Sequence, residues 1–399
     1  MDSIRFKFKY ENPNTSFFEE RIHQKELQLT YISGGRFAWT NNTWRRERQE
    51  SGLYTPKYWI EQDFKFPEIT YFCLETSLPK LINAENLTAL KTNQLDEAVK
   101  AISNFCQVVG VYIFPDQIRR CVPTLVAFGK NINITNLCAC NYAIKALKPF
   151  DYKTNCQHRI VDFTDKKHGG KEAIFSQSSE TFKAYDKKRE ILNRAETTKE
   201  KETAELMQQG LYRIDGQLAS EILRVELTLK TERKIRSKLK PYLGELAPTF
   251  ENLFNEKLWE KVLKDEVNAV FNHPLQRIIF LALEGQHFID EFLDKHYHHI
   301  QTKDTIRGML ASLQRSGFAE TRKDYLGRYR SRQTWYNYLR RLKELQKHFD
   351  WSALGQLDNV KIHSFILKQF GIITETQQEL GLNFNTRVSK KIDTKQRNT

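Results

Sequence analysis

The chain has 399 residues, which is enough for two or three domains with a large apolar core. Its 63 Lys and Arg residues against 49 Asp and Glu give a net charge of +14, so we expect a polyanionic partner such as nucleic acid. The six cysteines form no paired CxxC motifs, which excludes a zinc framework and a small disulfide scaffold. No apolar run reaches the ~18 residues of a membrane span, so we expect a soluble cytoplasmic protein with no membrane partner.

Period-two alternation of apolar and polar side chains predicts the strands. It begins at the N-terminus, which therefore does not have the pattern of a signal peptide. The predicted strands are Ile4–Tyr10, Leu27–Ile32, Tyr58–Phe66, Ile69–Thr76, Val108–Phe114, Thr124–Phe128, Arg159–Phe163, Glu172–Phe175, Thr181–Ala184 and Ile222–Leu229.

Helical spacing of apolar residues is sparse in the first part of the chain and dominant after about residue 240. The predicted helices are Leu95–Phe105, Asp186–Gln209, Phe250–Asn272, Leu275–Leu283, Phe288–His299 and Asp304–Gln314. The fold class is therefore α+β: a domain with a mixed or antiparallel sheet at 1–240, followed by a mainly helical domain at 241–399.

Tyr185 lies where a predicted strand passes into a charged helix, and Lys183, Lys187, Lys188 and Arg189 surround it in the sequence. A free phenol, with a pKa of ~10, is a poor nucleophile at neutral pH. Neighbouring cations or a metal ion lower that pKa and also hold a phosphate. Two interpretations remain open: a tyrosine that attacks a DNA phosphodiester, and a half-buried strand tyrosine beside a solvated helix.

Three segments in this order resemble the gene II/gene X replication initiators of filamentous phages and related rolling-circle plasmid initiators. They are Phe72–Leu81, Thr181–Ile191 and Leu223–Lys230. A fourth segment, Ser331–Lys343, is similar to the entry into a basic helix near the family's C-terminus. The resemblance extends from about Ile4 to Trp351.

The resemblance implies a metal-dependent nicking and rejoining enzyme. Tyr185 would be the nucleophile, Lys187 would neutralise the phosphate or steady the phenolate, and Arg224 would clamp the phosphate. Glu75 and Glu226 would bind Mg²⁺ or Mn²⁺, since each lies among apolar strand residues where an unpaired carboxylate is costly. The alternative is that Glu226 pairs with a lysine and Glu75 points to water.

The implied partners are origin DNA, both supercoiled duplex and single strand, together with a host helicase and a single-stranded-DNA-binding protein in the bacterial cytoplasm. One motif departs from the family. Where the family has an Arg-x-Asp strand, this chain has Arg119-Arg120-Cys121, and the nearby Asp116 is displaced. Asp162 or Asp165 could supply the missing carboxylate.

The segment between residues 322 and 347 carries nine Lys and Arg residues against two acidic ones, with five interleaved aromatic residues. Ser331 is a suitable N-cap for a helix beginning at Arg332, and the preceding helix would complete a helix-turn-helix-like arrangement on duplex DNA. The expected DNA-binding residues are Lys183, Arg330, Arg332, Trp335, Arg340, Arg341 and Lys343. The alternative is an amphipathic helix whose Trp335, Leu339 and Leu342 are core.

A His-hydrophobe-His metal pair at His296-Tyr-His298-His299 is a weaker candidate, because it follows Tyr185 and lies at a predicted helix end. Two rivals to the nicking enzyme remain. One is a non-catalytic DNA-binding replication regulator with the same fold, which the missing Arg-x-Asp carboxylate favours. The other is an RNA-binding module, which fits the charge, although no RNA-recognition motif is present.

Overall fold

The structure is a computed structural model. It describes residues 1–10, 27–32, 36–41, 54–62, 70–83, 86–147, 157–162, 171–198, 212–214, 216–271, 286–329, 332–348 and 358–372.

The first part of the chain builds a ten-stranded sheet and a separate two-stranded hairpin, β10–β11. The strands are β1 (Ser3–Tyr10), β2 (Leu27–Ile32), β3 (Arg36–Asn41), β4 (Lys57–Gln62), β5 (Thr70–Ser77), β6 (Leu125–Asn133), β7 (Gln157–Asp162), β8 (Lys171–Ser176), β9 (Glu180–Asp186), β10 (Arg213–Ile214), β11 (Gln217–Leu218) and β12 (Ile222–Leu229). The sheet order is β2-β3-β4-β5-β1-β6-β12-β9-β8-β7, and the registered strand pairs are antiparallel.

The helices lie between and after the strands. They are α1 (Leu78–Asn83), α2 (Leu95–Val108), α3 (Pro115–Arg120), α4 (Cys140–Leu147), α5 (Lys187–Thr198), α6 (Glu232–Leu243), α7 (Phe250–Leu253), α8 (Glu256–Phe271), α9 (Gln286–His296), α10 (Ile300–Tyr329), α11 (Arg332–His348) and α12 (Asp358–Gln369). The protein is therefore a mixed α+β fold with an antiparallel sheet, as the sequence predicts. Among the described helices, none combines the length and apolar character that a membrane crossing needs.

One face of the sheet is apolar because alternate residues of each strand point the same way. On β1, Ile4, Phe6 and Phe8 are buried. Helices cover this face: the ring centroid of Phe6 is 5.2 Å from that of Phe250 on α7, and Tyr58 on β4 contacts Phe105 on α2 at 6.1 Å. The other face carries polar side chains and holds the candidate site.

Contacts within the chain divide the protein into two units. The first unit comprises Met1–Ile144 and Arg159–Leu263, and the second comprises Lys145–His158 and Lys264–Thr399. The division falls after Leu263, whereas the sequence pattern places it after residue 240. Helices α6 and α7 belong with the sheet because Leu239 and Phe250 are fully buried, and the Phe250 amide donates to the Cys121 carbonyl at 2.8 Å.

The second unit has its own core, formed by α9, α10 and α11. Its buried residues are Ile289, Phe292, Leu293, Ile306, Met309, Leu310, Leu313, Trp335 and Leu342. Helix α10 runs for 30 residues, which is much longer than the predicted Asp304–Gln314. The predicted helix Leu275–Leu283 lies outside the described residues.

The strand predictions differ from the structure in two respects. The strands β3, β10 and β11 were not predicted, and Val108–Phe114 is not a strand but the end of α2, a turn at Gly110 with φ +78°, and an extended segment. Its alternation is real, because Val109, Val111 and Ile113 are buried while Tyr112 and Phe114 are exposed. Alternation of apolar and polar residues indicates that one side of an extended segment is buried. An extended segment that packs on helices has the same alternation although it pairs with no strand.

Candidate functional site

Tyr185 is the penultimate residue of β9, and α5 begins two residues later at Lys187. Asp186 ends the strand and caps the helix, because its Oδ1 accepts a hydrogen bond from the Arg189 amide at 2.9 Å. The predicted passage from strand to helix at Tyr185 is confirmed.

The Tyr185 side chain is buried, with 9 % of the residue exposed. Its hydroxyl donates a hydrogen bond to Glu226 Oε2 at 3.3 Å. Burial, followed by the negative charge of Glu226, holds the pKa of Tyr185 well above its usual value near 10. The phenol is therefore neutral in this conformation and donates its proton in a hydrogen bond to a carboxylate.

Glu226 and Arg224 lie on the same face of β12 as Tyr185 on β9, because the register pairs Arg224 with Tyr185 and Glu226 with Lys183. Lys183 Nζ contacts Glu226 Oε1 at 3.0 Å, and the Thr228 hydroxyl donates to the same oxygen at 3.1 Å. Arg224 Nε lies 3.4 Å from Glu226 Oε2. Both oxygens of the Glu226 carboxylate therefore have partners within the cluster.

The Arg224 guanidinium is buried and is held by two further groups. Its Nη2 contacts Asp2 Oδ2 at 2.7 Å, and its Nη1 donates to Asn131 Oδ1 at 2.8 Å. Burial lowers the pKa of Arg224, but Asp2, Tyr185, Glu226 and Glu190 together outweigh burial and the net shift is upward. Burial raises the pKa of Asp2, but Arg224, Lys187, the N-terminal amine and Lys183 together outweigh burial and the net shift is downward. Both groups are therefore held in their charged forms.

Gly129 on β6 leaves the space in which Arg224 lies. It is registered opposite Glu226, and a Cβ on Gly129 would come within 2.5 Å of Arg224 Nη2 and 2.9 Å of Cζ. A side chain at this position would displace the guanidinium.

Two lysines flank the Tyr185 ring, as the sequence predicts. Lys183 Nζ is 4.9 Å and Lys187 Nζ 5.9 Å from the ring centroid. Lys187 is 1 % exposed and its ammonium pairs with Glu190 at 2.7 Å. Burial lowers the pKa of Lys183, but Glu226 and Glu172 outweigh it, so the net shift is upward and the ammonium stays charged.

The structure does not bring Glu75 to this cluster. Glu75 lies on β5, and β1 and β6 separate β5 from β12, a distance of about 14 Å across the sheet. Its carboxylate pairs with Arg5 at 2.5 Å and is 35 % exposed. A Mg²⁺ ion binds oxygens at about 2.1 Å, so Glu75 and Glu226 cannot share one ion in this arrangement. Among the described residues, no group of three or more His, Cys, Asp and Glu side chains is placed to hold a metal ion.

The motif Arg119-Arg120-Cys121, which departs from the family's Arg-x-Asp pattern, also lies away from the cluster around Tyr185 and Glu226. Arg119 and Arg120 end α3, and Arg119 pairs with Asp96 and, at 3.3 Å, with Glu251. The Asp165 alternative lies outside the described residues, as does the side chain of Asp162 at the end of β7.

Sequence reasoning missed Glu172 on β8. Its register places it directly opposite Tyr185, on the same face of the sheet. Burial raises the pKa of Glu172 to about 7, with Lys183 opposing the shift and Glu226 adding to it. The available signal was its position as a lone acidic residue in a short predicted strand just before the Tyr185 strand.

The C-terminal prediction is corrected at one residue. Trp335 is 3 % exposed and belongs to the core of the second unit, so it cannot stack on DNA bases in this structure. Arg340 is exposed and Arg341 is half-buried, whereas Arg330 and the side chains of Arg332 and Lys343 lie outside the described residues. The His296–His299 segment runs from the last residue of α9 through the three residues that precede α10, and it forms no metal-binding group with other described residues.

A second basic surface was also missed. Arg233, Arg236 and Lys240 are exposed and share one face of α6, since they are spaced three, four and seven residues apart. With Glu232 and Ser237 they line an open concavity of about 610 Å³. The Arg236–Glu232 pair on this helix is half-exposed and contributes little to stability.

No family model, curated protein or solved structure matches the chain. The resemblance to the gene II/gene X initiators therefore depends on the motifs alone.

Proposed function

We propose that this chain initiates rolling-circle DNA replication by nicking one strand at the origin through Tyr185. The observation that carries the proposal is the hydrogen bond from the Tyr185 hydroxyl to Glu226, within a cluster that also contains Arg224 and Lys183. Nucleophile, proton acceptor and phosphate-binding cations are the groups that a tyrosine-dependent strand cleavage needs.

In the proposed reaction the Tyr185 oxygen attacks a backbone phosphorus and the bond to the 3′-oxygen breaks. The products are a 5′-phosphotyrosyl link and a free 3′-hydroxyl, which serves as a primer end. Glu226 takes the phenol proton during the attack, because the raised pKa of Tyr185 keeps the phenol neutral beforehand. The 3′-oxygen takes up a proton from solvent water as it leaves, and Glu226 releases the phenol proton to solvent. Reversal of these steps rejoins the displaced strand.

Arg224 and Lys183 are the candidate phosphate-binding groups. A guanidinium binds phosphate oxygens in a bidentate manner, and Lys183 Nζ is already 3.0 Å from the carboxylate beside the nucleophile. Lys187 adds positive charge near the ring. In the proposed reaction, these three side chains neutralise the negative charge of the phosphate.

The predicted Mg²⁺ or Mn²⁺ site does not fit the described residues as a site shared by Glu75 and Glu226. Lys183, Arg224, Thr228 and Tyr185 already occupy the Glu226 oxygens, and Glu75 is on a distant strand. In the proposed reaction, no step therefore depends on a metal ion shared by Glu75 and Glu226.

The test uses a supercoiled plasmid that carries the DNA encoding this chain with its flanking sequence, incubated with the protein and Mg²⁺. We expect nicked circles and a protein–DNA adduct that survives denaturation, with the phosphotyrosine on the peptide that contains Tyr185. Tyr185→Phe should abolish both products. Tyr112→Phe, which removes an exposed hydroxyl elsewhere, is the matched control and should leave both unchanged.

A non-catalytic DNA-binding regulator is the second candidate, and the burial of Tyr185 favours it. A nucleophile that is 9 % exposed must turn toward solvent before DNA reaches it, whereas a structural tyrosine would stay in place. An adduct that persists in Tyr185→Phe, or the absence of any adduct when the chain shifts the same DNA in a gel, would overturn the nicking proposal.

Under the nicking proposal, a bacterial cytoplasm supplies the remaining partners. Extension of the 3′-hydroxyl displaces a single strand, so a host helicase and a single-stranded-DNA-binding protein would act next to this chain.

A further inference from the structure

One face of α11 has an exposed row of side chains of the types that can pair with base edges. Trp335 and Leu342 are buried in the core of the second unit, whereas Gln333, Asn337 and Arg340 are exposed. Their spacing of four and three residues puts them in one row along the helix. Tyr336, which is 57 % exposed, lies beside the row.

The chemistry of this row differs from that of an ordinary solvated helix face, where Lys and Glu predominate. Gln333 and Asn337 carry amides, and Arg340 carries a guanidinium. Gln333 Nε2 donates a hydrogen bond to Asn337 Oδ1 at 3.3 Å, which orients both amides. An amide pairs with the N6 and N7 edge of adenine, and a guanidinium pairs with the O6 and N7 edge of guanine.

The charge of α11 fits duplex DNA. The helix sequence contains five Lys and Arg residues against one Glu. The major groove is about 12 Å wide and admits one α-helix, and phosphates on both sides would attract the basic residues that flank the row.

We propose that Gln333, Asn337 and Arg340 read base edges in the major groove of origin DNA. The row spans about 10.5 Å at 1.5 Å per residue, which corresponds to about three base-pair steps at 3.4 Å each. The recognised sequence then has adenine at two positions and guanine at a third. The inference rests on the proposed function only in its choice of DNA as the polyanion.

The experiment selects binding sites from 24-base-pair duplexes whose central 12 base pairs are random. The whole chain is used with Tyr185→Phe, so that cleavage plays no part and failure of the nicking proposal leaves the result unaffected. We expect enrichment of a short motif that contains adenine and guanine. Each specified base should be preferred over the others by about 5- to 100-fold in competition binding.

Three variants in the same background assign the bases. Asn337→Asp keeps the shape but converts an amide donor into an acceptor, so its position should change from adenine to cytosine. Arg340→Lys keeps the charge but loses the planar fork, so the guanine preference should fall at least several-fold. Arg315→Ala removes an exposed cation on α10, outside the row, and should leave the motif unchanged.

A melting temperature equal to that of the parent protein shows that each variant keeps the Trp335 core. With folding intact, an unenriched pool would overturn the inference. So would a motif that Asn337→Asp and Arg340→Lys leave unchanged, or a preference for RNA over duplex DNA.

Discussion

Arg224 links the parts of the candidate site because its guanidinium contacts three polar side chains, Asp2, Asn131 and Glu226. A buried charge with these partners is costly to disturb, since removal of one member leaves the others desolvated and unpaired. Gly129 provides the space for this arrangement, so the site depends on a residue that has no side chain.

Gly129→Ala should therefore destabilise the protein by about 1–3 kcal/mol, because the new Cβ forces Arg224 from its place. It should also reduce formation of the Tyr185 adduct. Gly308→Ala is the control, because no atom lies within 4 Å of the new Cβ and helix α10 should gain up to about 1 kcal/mol. Urea unfolding measures both free energies, and a Gly129→Ala protein as stable as the wild type would contradict the geometry.

Glu172 makes stability depend on pH near neutrality. Its pKa is raised from 4.5 to about 7, so the folded chain binds the proton more tightly than the unfolded chain. The free energy of unfolding should fall as pH rises from about 4.5 to about 7, by up to about 3 kcal/mol. Below that window both states are protonated, and the contribution of Glu172 to stability is complete.

Glu172→Gln should remove this part of the pH dependence. The variant should gain stability relative to the wild type as pH rises from 5 to 8, which urea unfolding at several pH values will show. Glu245→Gln, at an exposed position, is the control and should track the wild type throughout. If the free energies of unfolding of Glu172→Gln and the wild type change in parallel with pH, Glu172 is not the cause of this pH dependence.

At the scale of whole elements, periodicity predicted which residues share a face but not which strands are neighbours. Arg224 and Glu226 are two residues apart, so the alternation of the predicted strand Ile222–Leu229 puts them on one face, and Tyr185 joins them because β9 pairs with β12. Glu75 has the same local pattern, but its strand lies three places away from β12 in the sheet. Strand order depends on contacts distant in sequence, which a local pattern does not contain.

The same limit explains Trp335. A basic amphipathic helix has a core face and a solvent face, and the sequence left both roles open for this residue. The core of α9, α10 and α11 determines the outcome, because the Trp335 ring lies 6.1 Å from the Tyr325 ring on α10. Tyr336, the next residue, is the exposed aromatic.

The neighbouring pair on α11 gives a direct test. Trp335→Ala should destabilise the second unit by about 3–5 kcal/mol, because it leaves a cavity in a packed core. Tyr336→Ala should change stability by less than about 0.5 kcal/mol, because the ring is exposed. Thermal unfolding of the two variants measures both changes in stability. Equal melting temperatures combined with weaker DNA binding for Trp335→Ala would return Trp335 to the DNA-contacting residues.

At the scale of the whole molecule, a net charge of +14 would attract the proposed DNA partner in one of two distinguishable ways. A diffuse charge acts at long range, and any three cations then contribute alike. A surface that contacts phosphates releases bound counterions, and the logarithm of affinity then falls linearly with the logarithm of salt concentration, by about 0.9 per phosphate contact. The row of Arg233, Arg236 and Lys240 on α6 is one described surface outside α11 that suits the second mode.

Alanine at Arg233, Arg236 and Lys240 together should weaken binding to duplex DNA and lower the magnitude of the salt slope by about 2–3. Alanine at Lys91, Lys100 and Lys257 together removes the same charge from exposed positions on other elements, and its slope should stay within about 0.5 of the wild type. Fluorescence anisotropy between 50 and about 300 mM salt measures both. Equal slopes for the two triple variants would show that overall charge, rather than the α6 surface, governs the attraction.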